Sequence, residues 1–314
     1  MRARHIEGIV PVMITPYLES GEIDYGGVER LIEWYIAQGA DALFAVCQSS
    51  EMQFLSLEER SELGRFVVGR VAGRVPVAVS GHVSDDPYGQ IEELGAAVET
   101  GADAVVLVTN HLDPKNRGSE VFRGNLQWLL ERLPKETPLG LYECPAPYRR
   151  LLSDDELRSC LDSGRFVILK DVSCDLATVG RRVAMSAGTP LAVINANAAI
   201  AYDAMKAGSR GFNGVYTNFH PDLYKWLYVS GGQYPELAGE VANFLALAAL
   251  SEAFGYPVLA KMYHRRLGTF DSIGSRTIGF DVRERFWALD AILDKVVAGT
   301  EAMRGKIAAS RKAL

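Results

Sequence analysis

Short apolar runs recur along the chain and alternate with longer segments in which apolar residues follow a helical period. Such runs are typical of strands that are buried on both faces of a parallel sheet. Eight strands are predicted, at Gly8–Thr15, Leu43–Val46, Val75–Ser80, Val105–Val108, Leu139–Tyr142, Phe166–Lys170, Leu191–Asn195 and Gly211–Val215. Eight strands that alternate with helices predict right-handed crossovers and a closed (β/α)8 TIM barrel, an α/β fold.

The segments between the strands carry the signals of helices. One apolar stripe at helical spacing consists of Val28, Leu31, Ile32, Tyr35 and Ile36. Capping boxes are predicted to begin helices at Ser56–Glu59 and Ser153–Glu156, and a further helix is predicted at Pro87–Glu99. The phrase GADA occurs twice, at Gly39–Ala42 and Gly101–Ala104, and in each copy the glycine is placed to end a helix ahead of a strand.

An open, doubly wound sheet is the alternative to a barrel. It usually has a glycine-rich phosphate turn after its first strand, whereas this chain has TPYLESGEID there. Beyond the eighth strand we predict an appended bundle of about three helices, whose apolar stripes include Val241, Phe244, Leu245, Ala248, Phe286, Leu289, Ile292 and Leu293. We therefore divide the chain into a barrel that carries the active site, residues 1–232, and a C-terminal helical extension, residues 233–314.

The composition narrows the function classes. The chain is 48% hydrophobic and 23% charged, with a formal net charge of −6, and the absence of a basic patch disfavours nucleic acid as a partner. No apolar run approaches the roughly 20 residues of a membrane span, and the N-terminus lacks a secretory signal. The cysteines form no C-x-x-C pair, and the histidines show no ligand spacing. We therefore predict a cytoplasmic protein without a metal that acts on a small molecule.

Lys170 is the first candidate for chemistry, because the active site of a barrel lies at the carboxyl ends of its strands. Among the lysines, it alone terminates an apolar strand run. Full burial lowers a lysine pKa by up to roughly 3–5 units, and a neutral amine condenses with ketones to form a Schiff base. The alternative is a lysine that only pairs with Asp171 or Glu143 at the rim.

Two further features converge on the same end of the barrel. Tyr142 ends the fifth strand, beside the sixth, and a phenol near a Schiff-base nitrogen can shuttle protons; the alternative is an ordinary core or rim tyrosine. The stretch CQSSE after the second strand offers hydroxyl and backbone donors at Ser49 and Ser50, which suit a carboxylate. The alternative is a plain serine-containing turn. Glu51 is predicted to anchor this loop.

These motifs together resemble the dihydrodipicolinate synthase / N-acetylneuraminate lyase family. The resemblance rests on Tyr142-x-x-Pro145, on Lys170 at a strand end, on the hydroxyl pair followed by Glu51 and LSLEER, and on PVMITPY near the start. It covers Gly8 to about Tyr224.

The resemblance implies a class I aldolase. Lys170 would form an imine with pyruvate or another 2-oxo acid, Tyr142 would shuttle protons, and the enamine would add to an aldehyde, or the reverse reaction would cleave. It further implies that no metal or organic cofactor is needed, and that the chain forms a homo-oligomer, a dimer or a tetramer.

The chain departs from the family pattern in the proton relay. The family's carboxylate-binding pair falls on Gln48 and Ser49, with Ser50 at the following glycine. The first of the pair is normally a hydroxyl residue that belongs to the relay. His111 and Leu112 stand where two tyrosines are usual, so the relay is absent or rebuilt through Gln48 and His111.

A second departure concerns the far end of the substrate. The arginine that grips a distal carboxylate in the synthase would fall near Pro147, and Arg149 and Arg150 are close to it only in sequence. Synthase activity itself is therefore disfavoured, whereas the residues for imine chemistry remain. At the ends of the seventh and eighth strands, Asn195 and Asn213 complete the predicted substrate-binding set of Gln48, Ser49, Ser50, Asn195 and Asn213.

Two other functions fit the same residues. One is a sugar-acid or imino-acid dehydratase that uses the same imine. The other is a barrel that has lost catalysis and binds a 2-oxo acid.

Overall fold

A computed structural model describes residues 5–311 of the chain. Its sheet has eight parallel strands, β1 Gly8–Ile9, β2 Leu43–Ala45, β3 Val77–Val79, β4 Ala104–Val108, β5 Leu139–Tyr142, β6 Phe166–Asp171, β7 Ala192–Asn195 and β8 Gly211–Phe212. The strands are hydrogen-bonded in the order β1-β8-β7-β6-β5-β4-β3-β2. Between the two ends of this order, Val12 forms a parallel bridge with Phe44, so the ring closes. The predicted TIM barrel is confirmed.

Helices follow the strands around the barrel. They are α1 Tyr25–Ala37, α2 Leu57–Val71, α3 Pro87–Glu99, α4 Ser119–Arg132, α5 Asp154–Asp162, α6 Leu176–Met185, α7 Ala201–Lys206 and α8 Pro221–Ser230. Both predicted capping boxes are formed, at Ser56 and at Ser153. Gly39 and Gly101 follow α1 and α3 with φ of 86° and 77°, a left-handed conformation that glycine adopts without strain and that ends a helix.

The C-terminal extension contains α9 Pro235–Ala249, α10 Val258–Arg266, the single turn α11 Val282–Arg285, and α12 Leu289–Ser310. Three of these are long, as predicted. Phe286, however, follows α11 instead of joining the stripe of the last helix. The outer ends of the two predicted domains, residues 1–4 and 312–314, lie outside the described residues, and the boundary at residue 232 stays a prediction.

The extension is attached to the barrel by buried polar contacts. In α10, His264 Nε2 lies 2.9 Å from the carbonyl oxygen of Asn218, and burial lowers the pKa of His264 to about 3. Over residues 5–311, no single helix is long and apolar enough to cross a membrane. The helical segments Pro235–Ala253 and Val258–Arg266 meet that measure only as a pair, and a 117° bend separates them.

Candidate active site

Lys170 lies on β6 directly beside Tyr142 on β5, because the two residues are register partners in the parallel ladder. Its side chain enters a corner of aromatic rings: Nζ is 4.2 Å from the ring centroid of Tyr142 and 5.6 Å from that of Phe44. Lys170 is only 5% exposed. Strand β6 therefore places the Lys170 amine against two aromatic rings, with no carboxylate among residues 5–311 in contact with it.

The acidic residues that were alternative partners for Lys170 are engaged elsewhere. Arg182 on α6 donates to both carboxylate oxygens of Glu143, at 2.9 and 2.5 Å, and to Asp171 at 2.5 Å. All three side chains are 0–1% exposed. The interpretation of Lys170 as a rim lysine paired with Asp171 or Glu143 is therefore wrong. Within residues 5–311, the Lys170 ammonium has neither a hydrogen bond nor an ion pair.

Burial lowers the pKa of Lys170, because the charged amine has lost its water without gaining a carboxylate at contact distance. Cys47, Cys144 and Glu252 oppose this shift electrostatically. Burial also raises the pKa of Tyr142 well above its usual value. Lys170 therefore loses its proton at a lower pH than an ordinary lysine and can act as a nucleophile. Tyr142 remains a neutral phenol beside it and can donate a proton.

The loop after β2 brings Gln48 to this pair. The Tyr142 hydroxyl donates to Gln48 Oε1 at 3.0 Å, and the Cys144 thiol donates to the same oxygen at 3.4 Å. Val46 starts the loop with φ of 50°, a conformation that β-branched residues rarely adopt. The chain thus turns sharply where β2 ends, as is common at sites where side-chain direction matters.

Ser50 holds the loop in place. Its hydroxyl donates to the Met13 carbonyl at 2.6 Å and accepts from the Cys47 amide at 3.1 Å. Thr15 donates to the Ser50 carbonyl at 2.8 Å. Ser49, in contrast, lines the pocket. Its side chain is hydrogen-bonded to that of Tyr256, and only one of the two predicted serines therefore lines the pocket.

Glu51 anchors the loop, as predicted, and it does so against the C-terminal extension. Lys261 on α10 donates to Glu51 Oε1 at 2.6 Å, with both side chains 0% exposed. The other carboxylate oxygen accepts from Ser275 Oγ at 2.8 Å and from the backbone amides of Arg276 and Thr277 at 2.6 and 2.8 Å. The carboxylate therefore has a full set of partners, which leaves it without a role in the reaction.

His111 lies on the wall beyond β4. Its Nδ1 is 2.7 Å from Asp85 Oδ1, and Gln90 donates to its backbone carbonyl at 2.9 Å. Behind it, 5.2 Å away between ring centroids, lies His82, whose pKa burial lowers to about 3. The imidazole of His111 is thus held in orientation by a carboxylate, as in acid–base dyads.

An open pocket of about 1070 Å³ connects these groups. The predicted residues that line it are Gln48, Ser49, His111, Tyr142 and Lys170. Ser50, Asn195 and Asn213 are buried and lie outside this lining. Asn195 bonds the backbone of Asn197, at 2.7 Å through Nδ2 and at 3.1 Å through Oδ1, whereas neither polar atom of Asn213 has a partner among residues 5–311.

Among residues 5–311, no arginine lines the pocket. Arg150 is 6% exposed and donates to Asp113 at 3.2 Å and to Glu156 at 2.7 Å. Arg149 donates to the carbonyl of Val172 at 3.2 Å and is not one of the lining residues. Neither residue takes the place of the distal arginine, and among residues 5–311 Lys170 is the only lysine or arginine that lines the pocket.

Among residues 5–311, no cluster of three or more histidine, cysteine, aspartate or glutamate side chains is placed to hold a metal ion. The sequence profile of the Dihydrodipicolinate synthetase family matches residues 5–247, most of the chain. This chain belongs to the dihydrodipicolinate synthetase family.

Relatives and solved structures agree with that membership. A 4-hydroxy-tetrahydrodipicolinate synthase of Psychrobacter arcticus is 29% identical over 69% of this chain and 70% of the relative. A 4-hydroxy-tetrahydrodipicolinate synthase of Nitrosococcus oceani is 27% identical over 83% of this chain and 88% of the relative. By structure, the chain is similar to YagE of Escherichia coli K12 in complex with pyruvate, with a TM-score of 0.83, 21% identity, and coverage of 94% of this chain and 99% of YagE. At that identity the likeness shows the fold.

Within the framework of this family, the pocket also contains residues that the sequence analysis missed. Glu252 and Tyr256 come from the C-terminal extension and line the pocket opposite the strand ends. Asn218 donates to the Tyr256 hydroxyl at 3.1 Å. The segment SEAFGYP carries no motif and no periodicity that points to a site. Only the folding of the extension over the barrel brings these two residues to the pocket.

Proposed function

We propose that this member of the dihydrodipicolinate synthetase family is a lyase whose Lys170 forms a Schiff base with pyruvate or another 2-oxo acid and which catalyses aldol addition or cleavage. One observation carries the proposal. Lys170 is desolvated, has no carboxylate at hydrogen-bond distance, and opens into a pocket beside a phenol. The pyruvate complex named for YagE supports a 2-oxo acid as the ligand.

The residues suggest how the first steps proceed. The neutral Lys170 amine attacks the C2 carbonyl, and Tyr142 protonates the departing hydroxyl as the carbinolamine loses water. The substrate carboxylate takes hydrogen bonds from Ser49 and from the amide nitrogen of Gln48. Gln48 presents its oxygen to Tyr142, so its nitrogen is left to donate.

We assign His111 to the second half of the reaction. Asp85 holds Nδ1 of His111, so the other ring nitrogen can exchange a proton with the oxygen of the aldehyde. This dyad would replace the tyrosine relay of the family. The surrounding assignments are also proposals: a barrel over residues 1–232 with its extension over 233–314, a homo-oligomer, and a cytoplasmic location.

The experiment is reductive trapping. The purified chain is incubated with pyruvate and sodium borohydride, and peptide mass spectrometry locates the adduct. We expect one adduct, on Lys170, and none without pyruvate. A folded protein that gives no adduct at any lysine contradicts the proposal and favours a barrel that binds without catalysis. Turnover assays with aldehydes plus pyruvate and with 2-keto-3-deoxy sugar acids then separate an aldolase from a dehydratase.

A further inference from the structure

Within the described part of the C-terminal extension, residues 233–311, Glu252 is the one charged side chain that lines the pocket. It lies in the single 3-10 turn Leu250–Ala253, which follows α9 directly. Within residues 5–311, its carboxylate has no hydrogen bond and no ion pair, although most of the acidic groups near the pocket are engaged. Glu252 is an exposed residue, so its carboxylate is hydrated and is free to meet a ligand in the pocket.

Glu252 and Lys170 influence each other. Glu252 is an exposed residue, and partial desolvation of its carboxylate raises its pKa, while Lys170 opposes that rise. In the other direction, Glu252 acts against the lowering of the Lys170 pKa by burial. A carboxylate that shares a pocket with a nucleophile, and whose pKa moves toward neutrality, has the properties of a general base.

The proposed mechanism lacks such a base. Enamine formation requires a group that accepts the C3 proton of the imine, and Tyr142 is poorly suited to that task. Its hydroxyl proton already points at Gln48 Oε1. In the resting pocket Tyr142 is therefore a proton donor, which is the role that the first step of the proposed function gives it.

We propose that Glu252 is a catalytic residue that removes the C3 proton of the 2-oxo-acid imine on Lys170 and returns a proton to C3 in the cleavage direction. This inference rests on the proposed function. In the forward step the C3–H bond breaks and the proton moves to the carboxylate. The C–H electron pair forms the C2=C3 bond, and the electrons of the C=N double bond move to the Lys170 nitrogen. Solvent at Glu252 then exchanges the proton.

His111 is another titratable side chain in the lining of the pocket, and it is less suited to this step. Its Nδ1 is held by Asp85, whose side chain is 61% exposed. Glu252 and His111 both line the pocket that contains Lys170. We therefore give Glu252 the proton transfer at the imine and keep His111 for the aldehyde.

The test needs no aldehyde. Enamine formation exchanges the methyl protons of pyruvate with solvent, which proton NMR follows in D2O. We expect Glu252→Gln to slow this exchange about 10²–10⁴-fold while borohydride still traps pyruvate on Lys170. Glu252→Asp should recover part of the rate. Glu236→Gln, at an exposed position on the first turn of α9, should exchange at the wild-type rate.

Three outcomes would overturn the inference. Wild-type exchange in Glu252→Gln would remove Glu252 from catalysis and leave the Schiff-base proposal intact. Loss of trapping together with exchange, in a variant whose Tm and circular dichroism match the wild type, would place Glu252 in imine formation instead. No adduct in the wild-type protein would overturn both proposals.

Discussion

Lys170 and Lys261 are the two lysines that are buried within residues 5–311, and their surroundings differ in one respect. Lys170 and Lys261 are 5% and 0% exposed, and burial lowers the pKa of both, that of Lys261 to about 8. Both ammonium groups lie over a tyrosine ring, Lys170 at 4.2 Å from Tyr142 and Lys261 at 4.4 Å from Tyr17. Burial and a π face therefore do not distinguish them.

The difference lies in hydrogen bonding and access. Lys261 donates to Glu51 and to the Gly274 carbonyl, each at 2.6 Å, so it connects the β2 loop to the extension. Lys170 donates to no residue within 5–311, and it borders a pocket. A paired amine stabilises the fold, whereas an unpaired amine with access to substrate can react. Both lysines are buried, so burial alone does not make a lysine reactive. The reactive lysine is the one whose ammonium group has no hydrogen-bond partner within the described residues.

Replacing each lysine with methionine should have the largest effect on the pyruvate adduct. Lys170→Met should lose the pyruvate adduct and all turnover, because no other lysine among residues 5–311 lines the pocket. Lys261→Met should still form the adduct in its folded fraction. Mass spectrometry after borohydride treatment measures both. An adduct that persists in Lys170→Met would make Lys261, or another lysine, the nucleophile.

The two tyrosines offer a matched pair of smaller changes. Tyr142→Phe keeps the ring over Lys170 and removes the proton donor, so the rate of trapping and turnover should fall about 10²–10⁴-fold. Tyr17→Phe keeps the ring over Lys261 and removes a buried hydroxyl that has no partner among the described residues. It should leave the rates unchanged. Equal effects of the two variants would show that the ring, and not the hydroxyl, matters.

The Lys261 substitution, which should leave the reaction intact, should lower the free energy of unfolding. Lys261→Met leaves the Glu51 carboxylate buried without its counter-ion, which costs about 3–5 kcal/mol. Urea unfolding measures this loss. The double variant Glu51→Gln/Lys261→Met should lose less than Lys261→Met alone, because no uncompensated charge remains. If the double variant is the less stable of the two, the pair does not act through charge.

The dependence of folding stability on pH should be the smallest of these effects. Because burial lowers the pKa of Lys170, the unfolded chain binds more protons than the folded chain between the folded pKa and about 10.4. The wild type therefore gains stability as pH rises through that window. Lys170→Met removes this dependence, so its Tm should exceed that of the wild type at neutral pH, and the gap should close toward pH 10.4. A gap that widens with pH would contradict the desolvation of Lys170.

Prediction from the sequence succeeded where the signal was local. Apolar runs located all eight strands, although the first and last are shorter in the structure, Gly8–Ile9 and Gly211–Phe212. The site prediction was less complete. Lys170 and Tyr142 end neighbouring strands, and their positions follow from strand order. Ser50 does not share the orientation of Ser49, because a backbone carbonyl from the segment after β1 captures its hydroxyl.

The sequence by itself determined the barrel, the strand end that carries the amine, and the neighbouring phenol, because periodicity and parallel register are properties of local segments. Only the tertiary structure decided which charges meet. Arg182 forms ion pairs with Glu143 and Asp171, and Lys261 forms one with Glu51. Lys170 and Glu252 have no ion pair among residues 5–311. These pairings join residues far apart in the chain, and electrostatic energy depends on distance and burial in space, which no local pattern encodes.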